Sequence, residues 1–163
     1  MRPYIGTKLI EAEPAVRVDG TIRPVDDFNA VIPVPPGAVI ERGYKVRYPD
    51  GYESWSPQDV FERAYLPMTV NPNLKTDAPS ISKEMVEDFI AKTEVTTMGD
   101  KCTVVRAVLR NGFEIVESSA CVSAENYDEK LGSAICMNKI GDRVWELLGF
   151  LLQTAVGGVQ GKE

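Results

Sequence analysis

Residues 104–122, VVRAVLRNGFEIVESSACV, constrain the fold of this 163-residue chain more than any other stretch. Two apolar-rich runs flank Asn111-Gly112, the dipeptide that best accepts the positive-φ positions of a tight hairpin turn. Read as a two-residue type I′ turn, it sets Arg110 opposite Phe113, Val108 opposite Ile115, Arg106 opposite Glu117, Val104 opposite Ser119 and Cys102 opposite Cys121, all on one face. The other face then carries Val105, Ala107 and Leu109 with Val116, Ala120 and Val122. Neither face is polar, so both are expected to be covered. Helices downstream supply one cover. The N-terminal segment or a second subunit supplies the other, and a homo-oligomer is the expectation. The register also brings Cys102 and Cys121 to ~5.5 Å at Cα, within disulfide range, although both are expected to remain reduced, as buried small hydrophobes. Arg106 and Glu117 would form a cross-strand ion pair, and Arg110 would stack on Phe113.

The flanking sequence completes an α+β plan: an antiparallel hairpin sheet packed with C-terminal helices, plus a small N-terminal β-hairpin and helix module. YIGTKLIEAE (4–13) reads as a first strand. Residues 14–40 carry five prolines and read as a long irregular excursion. A second hairpin spans 43–55 around Pro49-Asp50-Gly51, its loop length left open at two or three residues. Ser56 is expected to cap a helix beginning at Pro57, with Asp59 in its first turn and Val60, Phe61 and Ala64 on one side. The proline-rich 66–80 reads as a linker, which sets the domain plan: a module over 1–67, a linker over 68–80, a second domain over 81–156 and a frayed tail over 157–163. Ser82 should cap a helix over KEMVEDFIAKTE with Met85, Phe89 and Ile90 on its apolar side. Residues 123–156 are strongly helical, with Ser123 or Asn126 as cap. Tyr127, Leu131, Ile135, Val144, Leu148 and Leu151 are expected on the buried side, and Gly149 is expected to separate a short final helix.

Chemistry is constrained mainly by what the chain lacks. There is no histidine, the commonest general base and zinc ligand. The three cysteines form no C-x-x-C pair. The acidic groups Glu84/Glu87/Asp88 and Glu125/Asp128/Glu129 fall at helix starts, where the dipole favours them. Neither glycine-containing segment matches a phosphate or dinucleotide loop. The expectation is a non-enzyme without catalytic residue, metal or cofactor. A net charge of −6 argues against binding a nucleic-acid backbone. No run reaches the ~18 apolar residues of a membrane span, and the N-terminus lacks a signal-peptide core, so a bacterial cytoplasm is the expected compartment. Arg106, Arg110 and Phe113 together are groups that a base-and-phosphate site would use.

From Ile81 to about Leu152 the chain carries, in order, a short helix, Cys102, Asn111-Gly112-Phe113, Ser119-Ala120-Cys121, Asn126-Tyr127-Asp128, Gly132, and Trp145 followed by glycine and leucines. In this order they resemble a family of small accessory proteins of tailed phages and prophages. The front part looks like a module at the start of related prophage proteins. The hairpin-then-helices plan is also similar to the phage anti-Thoeris sponges, which sequester cyclic ADP-ribose-type signals, and in some cases cyclic oligonucleotides, as oligomers and without cleavage. That resemblance implies a ligand stacked on Phe113, hydrogen-bonded by Asn126 and contacted at phosphate by Arg143, with Arg106 or Arg110 in support. The long front module departs from it. The rival reading is an acidic phage protein that inhibits or adapts a host protein, such as a defence effector or nuclease, through residues 14–40 or the Tyr48, Tyr52 and Trp55 cluster. A third is a structural or replication-accessory role.

Overall fold

A computed structural model describes residues 1–29 and 32–161. The fold is α+β. The chain divides into two compact units, Met1–Pro67 with residues 158–161, and Met68–Gly157.

The first unit is built on a four-stranded antiparallel sheet of order β2-β1-β3-β4, with β1 Glu11–Val18, β2 Thr21–Pro24, β3 Ile40–Arg47 and β4 Glu53–Pro57. Strands therefore occupy residues 14–18, 21–24 and 40 of the 14–40 segment expected to be irregular, while 25–29 and 32–39 carry no regular element and residues 30 and 31 lie outside the described residues. Strand β1 also begins later than the expected 4–13. Pro14 is compatible with its place in β1 because on the β2 side it supplies a carbonyl, accepting from the Val25 N–H at 2.9 Å. Helix α1, Gln58–Ala64, follows β4 directly. Ser56 does not cap it. Ser56 lies within β4, Pro57 takes the N-cap position without a side-chain bond, and Asp59 sits in the first turn as expected. One sheet face packs Tyr44 against Phe61 at 4.0 Å between ring centroids, with Phe28 and Tyr65 extending the row. On the other face Trp55 lies over Gly43 and under the Arg17 guanidinium.

The second unit is a three-stranded antiparallel sheet, order β5-β6-β7, packed with two helices. Helix α2 is Lys83–Phe89, and the Ser82 hydroxyl caps it by accepting the Met85 N–H at 3.1 Å. The expected continuation of this helix through residue 94 is instead β5, Ile90–Met98. Its run Thr93-Glu94-Val95-Thr96-Thr97 is mostly β-branched, and such side chains lose χ1 freedom in a helix but fit a pleated strand. Strands β6, Cys102–Leu109, and β7, Glu114–Ala120, form the expected hairpin.

Its register differs by one residue. The loop is three residues, Arg110-Asn111-Gly112. Leu109 donates to Phe113 O at 2.8 Å, Gly112 donates to Leu109 O at 2.8 Å, and Gly112 takes φ +83°. Residue pairs sum to 222 rather than 223, so Cys102 faces Ala120, Arg106 faces Val116 and Val108 faces Glu114. The slip turns every β7 side chain to the opposite face. Thr103, Val105, Ala107, Leu109 and Ile115 form the buried face. Cys102 and Cys121 are not cross-strand partners, and all three cysteines are free thiols.

Helix α3 runs unbroken over Glu129–Gly157, so Gly149 does not divide it. The Asp128 carboxylate accepts the Leu131 N–H at 3.0 Å at its start, while Ser123 caps a preceding single 3₁₀ turn, Ala124–Asn126. The buried stripe is Gly132, Cys136, Ile140, Val144 and Leu148. Val144 and Leu148 were expected there; Leu131, Ile135 and Leu151 are exposed instead. The tail residues 162 and 163 lie outside the described residues.

Candidate functional site

The five residues singled out from sequence all belong to the second unit, at four separate places. Phe113 and Arg110 stand at the β6–β7 turn. Phe113 is half exposed, and its N–H is held by Asn111 Oδ1 at 3.1 Å. Arg110 is exposed, with its backbone N–H donated to Phe89 O at 3.0 Å. Asn126 is exposed in the 3₁₀ turn at the other end of the sheet, next to Tyr127, whose hydroxyl bonds Thr97 Oγ1 at 2.7 Å and buried Thr103 Oγ1 at 3.1 Å. The rise of β6 separates these two ends by about 23 Å. Arg143 lies midway along α3, 3.6 Å from Glu117, and is more than half exposed. Within one chain the structure brings Arg110 and Phe113 together and keeps Asn126, Arg143 and Arg106 apart from them.

Arg106 points to the sheet face away from α3. Its expected partner Glu117 points the other way because of the register. In its place Arg106 donates to Glu94 at 2.8 Å from Nη1 and to Glu114 at 2.8 Å from Nε, while Lys92 reaches Glu94 at 2.6 Å. The hydrogen bonds to Glu114 and then Glu94 hold the guanidinium pKa above its ordinary value. Lys92 and then Arg106 hold Glu94 below the usual carboxylate range, and Arg106 does the same for Glu114. This cation is already matched by carboxylates and is poorly placed to take a phosphate.

The sign of the pH dependence follows. Carboxylates with lowered folded values contribute stability above the ordinary carboxylate range and lose it as pH falls through the lowered values. The melting-temperature advantage of the wild type over Arg106→Gln is therefore expected to be present at neutral pH and to shrink on acidification below that range. An advantage that persists at low pH would show that the cluster contributes by packing alone.

The same face carries half-buried Cys102, Val104 and Val108 with exposed Met98 and Val116. No described element of this unit covers it. On the opposite face α3 lies against β6 and β7. Lys139 Nζ donates to Ser118 O at 2.8 Å, placing a cation along the free edge of β7. Burial pushes the Cys136 thiol pKa up, and its sulfur contacts Thr103 O at 3.8 Å, an environment for an inert thiol.

The feature that sequence reasoning missed is the outer side of the C-terminal part of α3. Leu147, Phe150 and Leu151 are 39%, 74% and 41% exposed. Their i, i+3, i+4 spacing puts them on one side of the helix. The signal is the apolar density of WELLGFLLQTAV, of which Leu148 faces the core and Leu147, Phe150 and Leu151 do not.

Among the described residues no group of histidine, cysteine and carboxylate side chains is placed to hold a metal ion. No helix among the described residues is long and apolar enough to cross a membrane. Residues 81–156, under half of the chain, match the model of a phage protein family, the N4 Gp49/phage Sf6 gene 66 family. This similarity supports a phage accessory protein. No curated protein and no solved structure matches the chain.

Proposed function

We propose that the protein acts by binding, not catalysis, and that it docks on a host protein as an inhibitor or adaptor. The observation that carries this reading is the Leu147, Phe150, Leu151 face of α3, with Phe150 74% exposed. An amphipathic helix that shows anchors at this spacing suits an apolar groove on another protein. The net charge of −6 favours a groove with a basic rim, because complementary potentials speed encounter and reject wrong partners. The phage family match over 81–156 is consistent with a host target. The alternative is sequestration of a small signalling nucleotide by Phe113, Asn126 and Arg143 with Arg106 or Arg110. It has less support, because these groups are dispersed in one chain and Arg106 and Arg143 already face carboxylates.

The test uses the full chain. Wild-type protein is expected to retain one stoichiometric host protein, and titration of that purified partner should show Phe150→Asp weakening the complex by about 30-fold or more, as for an interface anchor worth about 2 kcal/mol. The melting temperature should not move appreciably, since the side chain is exposed. Equal affinity for variant and wild type would overturn the assignment of this face. Calorimetric binding of cyclic ADP-ribose isomers or cyclic dinucleotides, lost in Arg143→Ala at unchanged stability, would instead establish the nucleotide reading.

A further inference from the structure

The edge of the second unit formed by β5 is open. All of Ala91–Met98 is exposed, β5 pairs only with β6 among the described strands, and α3 covers β6 and β7. On the α3 side of the sheet, Val95 is 44% exposed between Thr93 and Thr97. A nine-residue edge strand presents a row of unpaired N–H and C=O groups that template another strand. Proteins usually blunt such an edge with an isolated charge or a bulge. Here the bulge sits at Ile90/Lys92, at the start of the strand. Lys92, the natural repelling group, is bonded to Glu94 at 2.6 Å, and Glu94 is bonded to Arg106 at 2.8 Å. The edge is thus left with its charges neutralised from inside the chain, and Val95-Thr96-Thr97-Met98 carries none.

We infer that β5 pairs antiparallel with β5 of a second copy of this chain, across a two-fold axis at Val95. Charge, the bulge and strand length together select that centre, since a centre at Thr96 also opposes no like charges but pairs only residues 94–98 of β5. An axis at Glu94 would oppose Glu94 with its own counterpart, a like-charge pair that destabilises a sheet. An axis at Thr93 would run the pairing into the bulge. The axis at Val95 aligns residues 92–98 of both copies and opposes no like charges. On the α3 side Val95 meets its counterpart and Thr93 meets Thr97. On the other side Glu94 meets Thr96, and the aliphatic stem of Lys92 lies against Met98. The product is a continuous six-stranded sheet without the open β5 edge. Between the two α3 helices it leaves a groove floored by Thr93, Val95 and Thr97 from both copies. This surface is distinct from the Leu147, Phe150, Leu151 face, and the inference does not depend on the proposed host partner.

Sedimentation equilibrium of the full-length protein tests it. The wild type is expected to have a mass that is an even multiple of the chain mass. Val95→Lys, which places two ammonium groups against each other at the axis, is expected to halve that mass. Val116→Lys, on the open face of the same sheet, is expected to leave it unchanged. A monomeric wild type at about ten times a micromolar dissociation constant would overturn the pairing. So would an undiminished mass in Val95→Lys, or a mass also halved in Val116→Lys. A second variant does not depend on how well the lysine protein folds. Val95→Cys, in a Cys102→Ser, Cys121→Ser background, should form a covalent dimer on mild oxidation, because paired strands bring opposite Cα atoms to about 4.5–5.5 Å. Failure to cross-link in a folded protein would also exclude the axis.

Discussion

Ile140→Ala is expected to destabilise the second unit by about 2–5 kcal/mol, the range for truncating a fully buried aliphatic side chain. Ile140 is completely buried at the middle of the α3 stripe. Its neighbours on that stripe leave little freedom to fill the space. Gly132 has no side chain, and a Cβ there would already fall 2.3 Å from Thr103 Oγ1. The helix is therefore pressed against β6 at its first turns and cannot tilt inward to close a cavity at Ile140. For a unit of this size the loss should appear as a fall of roughly 10 °C or more in melting temperature. Ile135→Ala is the control, because Ile135 is 38% exposed on another side of the helix. Its expected effect is smaller, within about 1 kcal/mol, since the side chain lies off the buried stripe and is partly exposed. A comparable loss in both variants would mean that α3 presents a wider face to the sheet than its stripe indicates.

The contrast between Ile140 and Ile135 also shows where sequence reading reached its limit. Bulk suggested Leu131 and Ile135 for the core, but the helix buries Gly132, one of two glycines expected from sequence to permit close packing or a bend, and Cys136, which was not expected there. Small residues let backbones approach, and close approach is what a scale of hydrophobicity does not register. The hairpin shows a second limit. Asn111-Gly112 correctly marked the turn, yet the loop includes Arg110, and the added residue exchanged Glu117 for Glu114 as the partner of Arg106. The first unit repeats the same loop geometry. Tyr48 donates to Tyr52 O at 2.9 Å, Gly51 donates to Tyr48 O at 2.9 Å with φ +83°, and Asp50 Oδ1 holds the Tyr52 N–H at 3.0 Å. In both loops a short Asp or Asn side chain holds the N–H two residues on, and glycine supplies the left-handed position. Pro49 occupies the first loop position in one case and Arg110 in the other; the sequence leaves the first loop open at two or three residues and sets the second at two, and both close with three. The missed β5 is a third case. The cap at Ser82 was legible because it is a local hydrogen bond. The end of α2 was not, because the β-branched run 93–97 favours a strand only downstream of the boundary, and pairing with β6 sets its start at Ile90. The candidate site residues were legible as chemical types, while their separation depends on which ends of the sheet the turn and the α3 start occupy.

Gly43→Ala is expected to disrupt the first unit by about 1–3 kcal/mol or more, the cost of forcing an extra methyl into a packed site. Gly43 lies on β3 between Ala15 on β1 and Pro57 on β4. A Cβ there would fall 2.2 Å from Ser56 O and 2.7 Å from Trp55 Cζ2. The first of these is backbone within a paired strand, so it cannot turn aside as a flexible side chain would. The second is a ring wedged between this glycine and Arg17, 5.4 Å from its centroid. Relief requires the β3–β4 ladder to open and the indole to leave its place between Gly43 and Arg17, beside fully buried Ala15, the β1 partner of Gly43. Hydrogen exchange followed by peptide mapping should therefore show loss of protection in residues 11–18 and 40–57, with α3 peptides keeping theirs. Gly112→Ala offers the comparison. No atom lies within 4 Å of a Cβ there, and the strain comes only from φ +83°, so its cost should be nearer the ~1–2 kcal/mol of a left-handed residue and should fall on β6 and β7. If Gly43→Ala proved as mild as Gly112→Ala, Trp55 would have to move without carrying β4 with it, and the close contact over Gly43 would not be what holds the first sheet together.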